Sequence, residues 1–551
     1  MTNEVIIDQK FIDGQGFKRF IESGLTWLRT NQQLVNALNV FPVPDGDTGT
    51  NMLLTMQAAY NEIQNSNENN IGVIAQAVAQ GALMGARGNS GVILSQIWRG
   101  FARALDNQQK MDTKLFAIAL DKAKSTAYKG VVRPVEGTIL TVAKDVAAAA
   151  LEISEQTENI EEMLDHVLHA ADRSVENTPE LLPILKQAGV VDSGGKGYYF
   201  ILEGFLKLIR GENLESSTTA IIQPITTMDH NNLEDIEEGQ DYEVIVDFRP
   251  NGPLNLEKFY EDLSEMGTSI QVGEGDGMYR MHIHVPTDNR YLPIDYSMSI
   301  GTITKVFIEN LMDQMNQKES QGDKKLELTP IEPGQIAVVA ISPGFGLSKI
   351  FASLGAATIV EGGQTMNPST EEILRAFENL PTDKIVILPN NKNIFLAAQA
   401  AKDATVKQVE VLPTKTIPQG LSAMLRLDPF GDFDSVVEEM KEAINEVDTG
   451  EVTVATRSVE INNVSVNQGE AIALLNSQLI CSSKTIESAT IELLSKVELD
   501  DRERLTFFYG NSISKNEVNQ ITDTVRKQFP DMELEIHEGG QPHYQFIISI
   551  E

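Results

Sequence analysis

Apolar residues recur at helical spacing through roughly the first two hundred positions of this 551-residue chain. Phe17, Phe20, Ile21, Leu25 and Leu28 line one face over residues 17–28, and Met52, Leu53, Met56, Tyr60 and Ile63 do the same further on. Residues 71–86, 90–105, 115–127, 137–153, 161–175 and 198–208 carry the same period, with little strand character between them. The pattern predicts an all-α N-terminal block over residues 1–211, its glycines concentrated at the joints between helices.

That pattern stops at a stretch rich in Ser, Thr, Asn, Asp and Glu, residues 212–240, which has no apolar face and reads as a linker. Residues 241–315 mix strands and helices: Val244 to Val246, a helix around Leu256 to Met266, then Tyr279 to Val285. They predict an α+β middle domain. A second polar stretch places a linker at 316–330. In residues 331–551, apolar strands at Gln335–Ser342, Ala357–Val360, Lys384–Leu388 and Gln408–Leu412 alternate with helical segments. Right-handed βαβ units and a parallel sheet follow, hence an α/β C-terminal domain. The chain is multidomain.

Charge and cysteine content narrow the function classes. Forty-four basic against 79 acidic side chains give a formal charge of −35. Nucleic-acid binding depends on Lys and Arg neutralising phosphates, so a nucleic-acid partner is not expected. A nucleotide would have to be held by metal ions and backbone dipoles instead. Cys481 is the only cysteine, which excludes an internal disulfide and fits a reducing compartment. No apolar run approaches the roughly 20 residues that span a bilayer, and no secretory pattern opens the sequence. A cytoplasmic protein that does not span a membrane is expected.

Against that background one loop stands out, Asn39-Val-Phe-Pro-Val-Pro-Asp45-Gly-Asp47-Thr-Gly-Thr-Asn51. Gly46 lets a turn aim Asp45 and Asp47 at one point, where a divalent cation relieves their mutual repulsion. Magnesium suits such oxygen ligands and bridges to phosphate. Thr48, Gly49, Thr50 and Asn51 then open a helix, whose orphan N–H groups and dipole favour an anion. Taken singly, a loop of this kind is more often a surface turn or helix cap. Three further glycine joints repeat it: Gly88-Asn89-Ser90 within Gly85–Gly91, Gly137-Thr138, and Asp192-Ser193-Gly194. If the helices run up and down, the four joints gather at one end.

These motifs resemble the nucleotide-binding domain of the dihydroxyacetone kinase superfamily, most closely its fatty acid kinase catalytic-subunit branch. The likeness rests on Asn36 to Met52, Gly85 to Gly91 and Val190 to Gly197. It continues through Gly362 to Thr370, Leu388 to Ile394 and Gly539 to Pro542. The resemblance implies an antiparallel helical barrel holding ATP and Mg2+ and a DegV-like C-terminal domain. It also implies transfer of the γ-phosphoryl group to a fatty acid presented by a separate DegV-type acyl-binding protein. The acyl phosphate formed would feed phospholipid synthesis. By analogy Asp45 and Asp47 ligate magnesium, while Thr48 to Asn51, Asn89, Ser90, Thr138 and Asp192 to Gly194 contact nucleotide. Two departures from the dihydroxyacetone kinases are visible. Asn39 stands where they carry a third aspartate, making it a neutral candidate metal ligand, and Thr178-Pro179 replaces an arginine.

A fatty acid carboxylate is ionised at neutral pH, since its pKa should lie near the ~4.3 of Glu, and needs no general base. The residues fit that acceptor, because only Lys196 among the joints could act as a base and it reads as a solvated loop lysine. His282 and His284 share one face of a strand and are candidate zinc ligands, completed by Glu243 or Asp247, or else a structural pair. His166, His169, His230, His537 and His543 read as surface or structural. Ser342–Gly346, Gly362–Asn367 and Pro389–Asn391 follow strands, where α/β folds often bind ligands. They read as a docking surface for the acyl-binding protein rather than a relic lipid pocket. A dihydroxyacetone-like kinase with a hydroxyl acceptor and a nucleotide-binding regulatory scaffold are the rival functions. A homodimer is an arrangement the sequence allows.

Overall fold

The structure, a computed structural model, describes residues 9–39, 46–131, 133–212, 222–223, 242–252, 254–275, 278–310, 326, 328–364, 366–455, 458–461, 464–499 and 502–551. Two compact units result, one of Met1–Glu212 with Leu326–Glu551 and one of Asn213–Lys325.

The N-terminal part of the first unit is helical, as the apolar period predicts. Its described helices are α1 (Gly14–Thr30), α2 (Gln32–Leu38), α3 (Thr48–Asn61), α4 (Ile71–Met84), α5 (Gly88–Ala104), α6 (Thr113–Lys129), α7 (Ile139–Ser154), α8 (Ile160–Leu181), α9 (Pro183–Ala188) and α10 (Ser193–Ile209). The short α2 and α9 escape the periodicity because one or two turns present too few apolar positions. Side chains of Asp13, Asn70, Asp112 and Asn159 accept hydrogen bonds from first-turn N–H groups and fix where four helices begin.

Each long helix packs on the next, α3 to α8 in turn, then α10 and α1, and α1 returns to α3. The ring closes on an aromatic interior. Phe17 stacks on Phe101 at 5.5 Å and Phe20 on Phe205 at 5.0 Å between ring centroids. Phe20 is fully buried, and truncating such a residue to Ala costs roughly 3–5 kcal/mol. Helices joined by short connections and packed side by side alternate in direction. The N-termini of α3, α5, α7 and α10 therefore lie at one end of the ring.

In the C-terminal part, β6 (Ile336–Ser342) lies inside a four-stranded parallel sheet of order β7-β6-β8-β9, with β7 at Thr358–Glu361, β8 at Lys384–Leu388 and β9 at Gln408–Val411. Every residue of β6 is buried, so its two faces feed two cores. Ile336, Val338 and Ala340 join one, and Ala337, Val339 and Ile341 the other. The intervening helices are α13 (Phe345–Ser353), α14 (Thr370–Glu378) and α15 (Phe395–Asp403), followed by α16 (Ile417–Met424) and α17 (Phe433–Ala443). A second, six-stranded sheet is mainly antiparallel and includes Asp448–Val454 and the last strand, Tyr544–Ile550. Ala86 and Val92, flanking the first turn of α5, belong to the same apolar cluster as Ala337 and Val339. The helical ring thus packs its α5 end directly on the α/β domain.

The second unit is a five-stranded sheet of order β1-β3-β4-β2-β5, with β1 at Ile222–Gln223, β2 at Tyr242–Pro250, β3 at Thr268–Gly275, β4 at Met278–Val285 and β5 at Gly301–Asn310. Helix α11 (Leu256–Ser264) contributes Phe259 and Leu263 to its core, beside Val244, Val246, Phe248, Met281 and Ile283. Helix α12 (Leu292–Ile300) leads into β5.

Candidate functional site

The four helix starts at one end of the ring are tied to one another. Ser193, first residue of α10, donates its hydroxyl to Thr48 Oγ1 of α3 at 3.2 Å. A Cβ on Gly88 would stand 2.6 Å from Asn51 Nδ2, and a Cβ on Gly194 3.3 Å from Ile139 at the start of α7. Only glycine permits that approach at Gly88, whose φ of +56° is left-handed. The convergence brings four positive helix ends together, the environment that attracts phosphate.

Asp47 is the N-cap residue of α3, yet its side chain makes no capping bond to that helix. The residue is 7% exposed, and its Oδ2 accepts a hydrogen bond from Asn367 Nδ2 at 2.5 Å. Gly46 precedes it at φ +59°, the left-handed turn that two closely spaced carboxylates require. Asp45 lies outside the described residues. Asn39 ends α2 with its N–H bonded to the Asn36 carbonyl at 3.1 Å.

The predicted nucleotide residues divide into two groups. Thr48, Asn51, Gly88, Ser193 and Gly194 meet at the shared end. Asn89 donates to Asn393 Oδ1 of the C-terminal domain at 3.2 Å, and Ser90 lies partly exposed on the first turn of α5. Thr50 faces α2, accepting from Gln32 Nε2 at 2.9 Å and Asn36 Nδ2 at 3.1 Å. Gly49 is needed for packing on that helix, since a Cβ there would meet the Gln32 carbonyl at 2.5 Å. Gly137, at φ +82°, and Thr138 build the start of α7, where Thr138 Oγ1 donates to the Val135 carbonyl at 2.7 Å and caps the helix. Asp192 caps α10, accepting from Gly195 N at 2.7 Å. Burial pushes its carboxyl up to about 6, against the lowering effect of the Gly195 and Ile139 N–H groups.

Lys196 is placed differently from its reading as a solvated loop lysine. It lies on α10 with its ammonium 4.1 Å from the Tyr199 ring centroid and 3.4 Å from Asp172 Oδ1. Both partners compete with any role at a phosphate.

Family models match three stretches of the chain. Residues 42–207 match the DAK2 domain, 239–318 the FakA-like middle domain of fatty acid kinases, and 337–551 the FakA-like C-terminal domain of fatty acid kinases. An uncharacterised protein of Staphylococcus aureus (strain MRSA252) is 38% identical over 549 residues, covering 98% of this chain and 99% of its own. One from Staphylococcus epidermidis (strain ATCC 35984) is 39% identical over 550 residues, with coverage of 98% and 99%. The chain belongs to the FakA-like fatty acid kinase family.

Among solved structures, DegV, a fatty acid binding protein from Bacillus subtilis, is 16% identical and aligns with 39% of this family member and 99% of its own chain, at a TM-score of 0.29. The Streptococcus pneumoniae Fatty Acid Kinase (Fak) B3 protein, loaded with linoleic acid, is 15% identical over 33% of this chain and 76% of its own, at 0.26. Both are too distant for any role to be transferred. The family assignment makes the helical ring a kinase-family domain, and no described helix is long and apolar enough to cross a membrane.

Two further places in this fatty acid kinase-like chain bear on the sequence expectations. On the face of the middle sheet opposite its core, ligand atoms of Glu243, His282 and His284 lie within 4.8 Å of one another. His282 Nε2 is 2.8 Å from Glu243 Oε1. Asp247, the other carboxylate considered, is not in the cluster, because Arg280 engages both of its oxygens at 2.6 and 2.8 Å. Among the described residues three donors meet there, one fewer than a closed structural zinc site takes. His230 lies outside the described residues, while His169 is exposed on α8 and His537 stacks on Phe508 at 5.9 Å.

The C-terminal strand ends enclose a cavity of about 50 Å³ lined by Ile341, Pro343, Gly362, Asn390, Thr416 and Glu451. Ligand pockets run to roughly 300–1,000 Å³, and this one falls below that range. By sequence, the loops after β6, β7 and β8 read as a docking surface for another protein. Part of that surface instead faces the chain's own helical ring. Arg87, the N-cap residue of α5, donates to the Asn367 carbonyl at 3.0 Å and pairs with Glu372 at 3.1 Å. The sequence reading held Arg87, Asn367 and Asn393 only as members of longer segments, and it passed over Glu372. Nothing local marks them, because their partners lie some 280 to 320 positions away.

Proposed function

We propose that the chain is an ATP- and magnesium-dependent fatty acid kinase that phosphorylates the carboxylate of a fatty acid presented by a separate acyl-binding protein. The observation that carries this reading is the convergence of four helix N-termini on Asp47, a buried carboxylate not used to cap its own helix. The residues fit the ligands it requires. The left-handed Gly88 lets the first turn of α5 close on the Asn51 and Asn367 amides, where a Cβ would clash, and Asn367 Oδ1 is buried without a hydrogen-bond partner among the described residues.

In this account first-turn N–H groups of α3, α5 and α10 bind and orient the phosphates of ATP. Asp47, with Asp45, would hold Mg2+, which when bound neutralises phosphate charge and lowers repulsion between two anionic reactants. The acceptor carboxylate oxygen attacks the γ-phosphorus in line, the bond from γ-phosphorus to the bridging oxygen breaks, and ADP leaves with that electron pair. The product is an acyl phosphate, an activated acyl group for phospholipid synthesis. No proton is transferred, which suits a site where Lys196 is engaged by Asp172 and Tyr199. Positioning and electrostatic stabilisation supply the acceleration.

The acceptor comes from a partner in this account, in keeping with the small cavity at the C-terminal strand ends. A DegV-type acyl-binding protein is the partner expected from the family resemblance. The test is to incubate the protein with ATP, Mg2+ and an acyl-loaded partner of this type and trap the product with hydroxylamine. Acyl hydroxamate is the expected product. ATP consumption with another acceptor, and no hydroxamate from several acyl-loaded partners, contradicts the reading.

A further inference from the structure

The residues assigned above to metal and nucleotide come from the helical ring, yet a polar group bonded to the Asp47 carboxylate comes from the α/β domain. Asn367 lies between β7 and α14 and is 3% exposed. Its Nδ2 donates to Asp47 Oδ2, and its backbone carbonyl accepts from Arg87. A Cβ on Gly88 would come within 3.4 Å of the same Nδ2. One side chain therefore abuts both the carboxylate turn and the turn that opens α5. Its Oδ1 is buried and has no hydrogen-bond partner among the described residues.

The segment carrying Asn367 is pinned at several points. Thr370 N donates to the Ala86 carbonyl at 3.2 Å, Glu372 pairs with Arg87, and Asn89 donates to Asn393. Ala86 and Val92 add an apolar contact beneath. A buried acceptor without a donor is costly to keep. Such groups mark strain, a catalytic role, or a water or ion that satisfies them. Beside a carboxylate at four helix N-termini, the candidate is the hydration shell of a hard cation or a donor of its nucleotide complex.

We infer that Asn367 is a positioning residue of the phosphoryl-transfer site, supplied by the C-terminal domain. Its NH2 group orients the Asp47 carboxylate, and its Oδ1 is the acceptor kept for the metal–nucleotide complex. The C-terminal domain then completes the kinase site rather than only flanking it. Hydrogen bonds that orient a metal ligand are worth about 10- to 100-fold in metal affinity.

The inference rests on the metal–nucleotide reading of the helix ends, and one experiment separates the two. ATP binding to the full chain is measured by calorimetry over a Mg2+ series for wild type, Asn367→Ala, Asn367→Asp and Glu372→Ala, with the thermal midpoint of each. Asn367→Ala should need about 10- to 100-fold more Mg2+ for half-saturation at an unchanged midpoint. Glu372→Ala, which cuts an interface ion pair away from Asp47, should keep the wild-type Mg2+ requirement. The isosteric Asn367→Asp preserves packing while replacing the donor by a second carboxylate, so it must also alter that requirement. A wild-type requirement in Asn367→Ala overturns the inference, as does one in Asn367→Asp where the Ala variant is unstable. A wild-type chain that binds no ATP at any Mg2+ concentration overturns the underlying reading as well.

Discussion

The helical ring and the α/β domain both present glycine-bearing loops that run into helix N-termini, and they differ in the charge they place there. At the end of the ring Asp47 is a buried carboxylate that does not cap α3, Gly88 lets the α5 turn close on the Asn51 amide, and helix ends meet across a 3.2 Å hydroxyl contact. At the strand ends of the α/β domain the groups are neutral amides whose NH2 groups are bonded to neighbours, although Asn390 Oδ1 and Gln541 Oε1 are buried without a partner among the described residues. Asn391 Nδ2 donates to Gln364 at 3.0 Å, Asn390 Nδ2 to the Ile341 carbonyl at 2.9 Å, and Ser369 completes a capping box with Glu372. Loop type alone does not make a site. What distinguishes the two regions is a buried carboxylate set among helix N-termini, and the comparison can be tested at each end.

The largest effect is expected at Asp47. Asp47→Asn keeps the shape and the contact to Asn367 but removes the charge at the helix ends. Phosphoryl transfer should fall by about 10²- to 10³-fold or more, the scale of losing one electrostatic contact to the transition state. Steady-state turnover with saturating Mg2+ measures it, and retained turnover would place the metal elsewhere.

Gly88→Ala comes next. A side chain at φ +56° carries a left-handed penalty of about 1–2 kcal/mol and a clash with Asn51. ATP affinity should drop about tenfold, with a lower denaturation midpoint. Gly211, equally left-handed at φ +65° but open to solvent, should lose only the backbone part when changed to Ala. Comparing the two variants separates the close approach to Asn51 from the backbone strain.

At the other region, Glu451 lines the small cavity, and burial pushes its carboxyl up to about 7, with Lys392 and Tyr544 opposing. A folded pKa above the unfolded value of 4.5 means that the folded state holds the proton more tightly. Its stabilising contribution is full below pH 4.5 and is lost as pH rises through about 7. Glu451→Gln should flatten the thermal midpoint between those values and leave turnover unchanged. A change in turnover without a change in the pH profile would contradict the division between the two regions. The smallest effect is expected at Glu372, whose half-exposed ion pair with Arg87 should contribute about 0–1 kcal/mol.

Much of the helical ring was legible because each helix has to bury one face, and the 3.6-residue period records which face. The N-terminal joints were legible for a related reason, since Gly46 and Gly88 hold conformations that few other residues adopt. At Gly49 and Thr50 the same signal accompanies close packing on α2. Local sequence cannot tell a glycine that admits a ligand from one that admits a helix. Asn367 was legible only as part of a turn-like segment, because its partner Asp47 is 320 positions away and nothing periodic links them. The Glu243, His282 and His284 cluster was half legible. Strand alternation put the histidines on one face, but pairing across β2 and β4 decided that Glu243 joins them and Asp247 goes to Arg280.

The most direct test of the central claim is to follow the acceptor oxygen. A fatty acid labelled with oxygen-18 in its carboxylate is loaded on an acyl-binding partner and incubated with the protein, ATP and Mg2+. The phosphorus resonance of the acyl phosphate is then read by NMR. Attack by the carboxylate predicts one labelled bridging oxygen on the transferred phosphoryl group and an isotope-shifted signal. ADP formation with only unlabelled inorganic phosphate would mean that water is the acceptor, and would contradict the account.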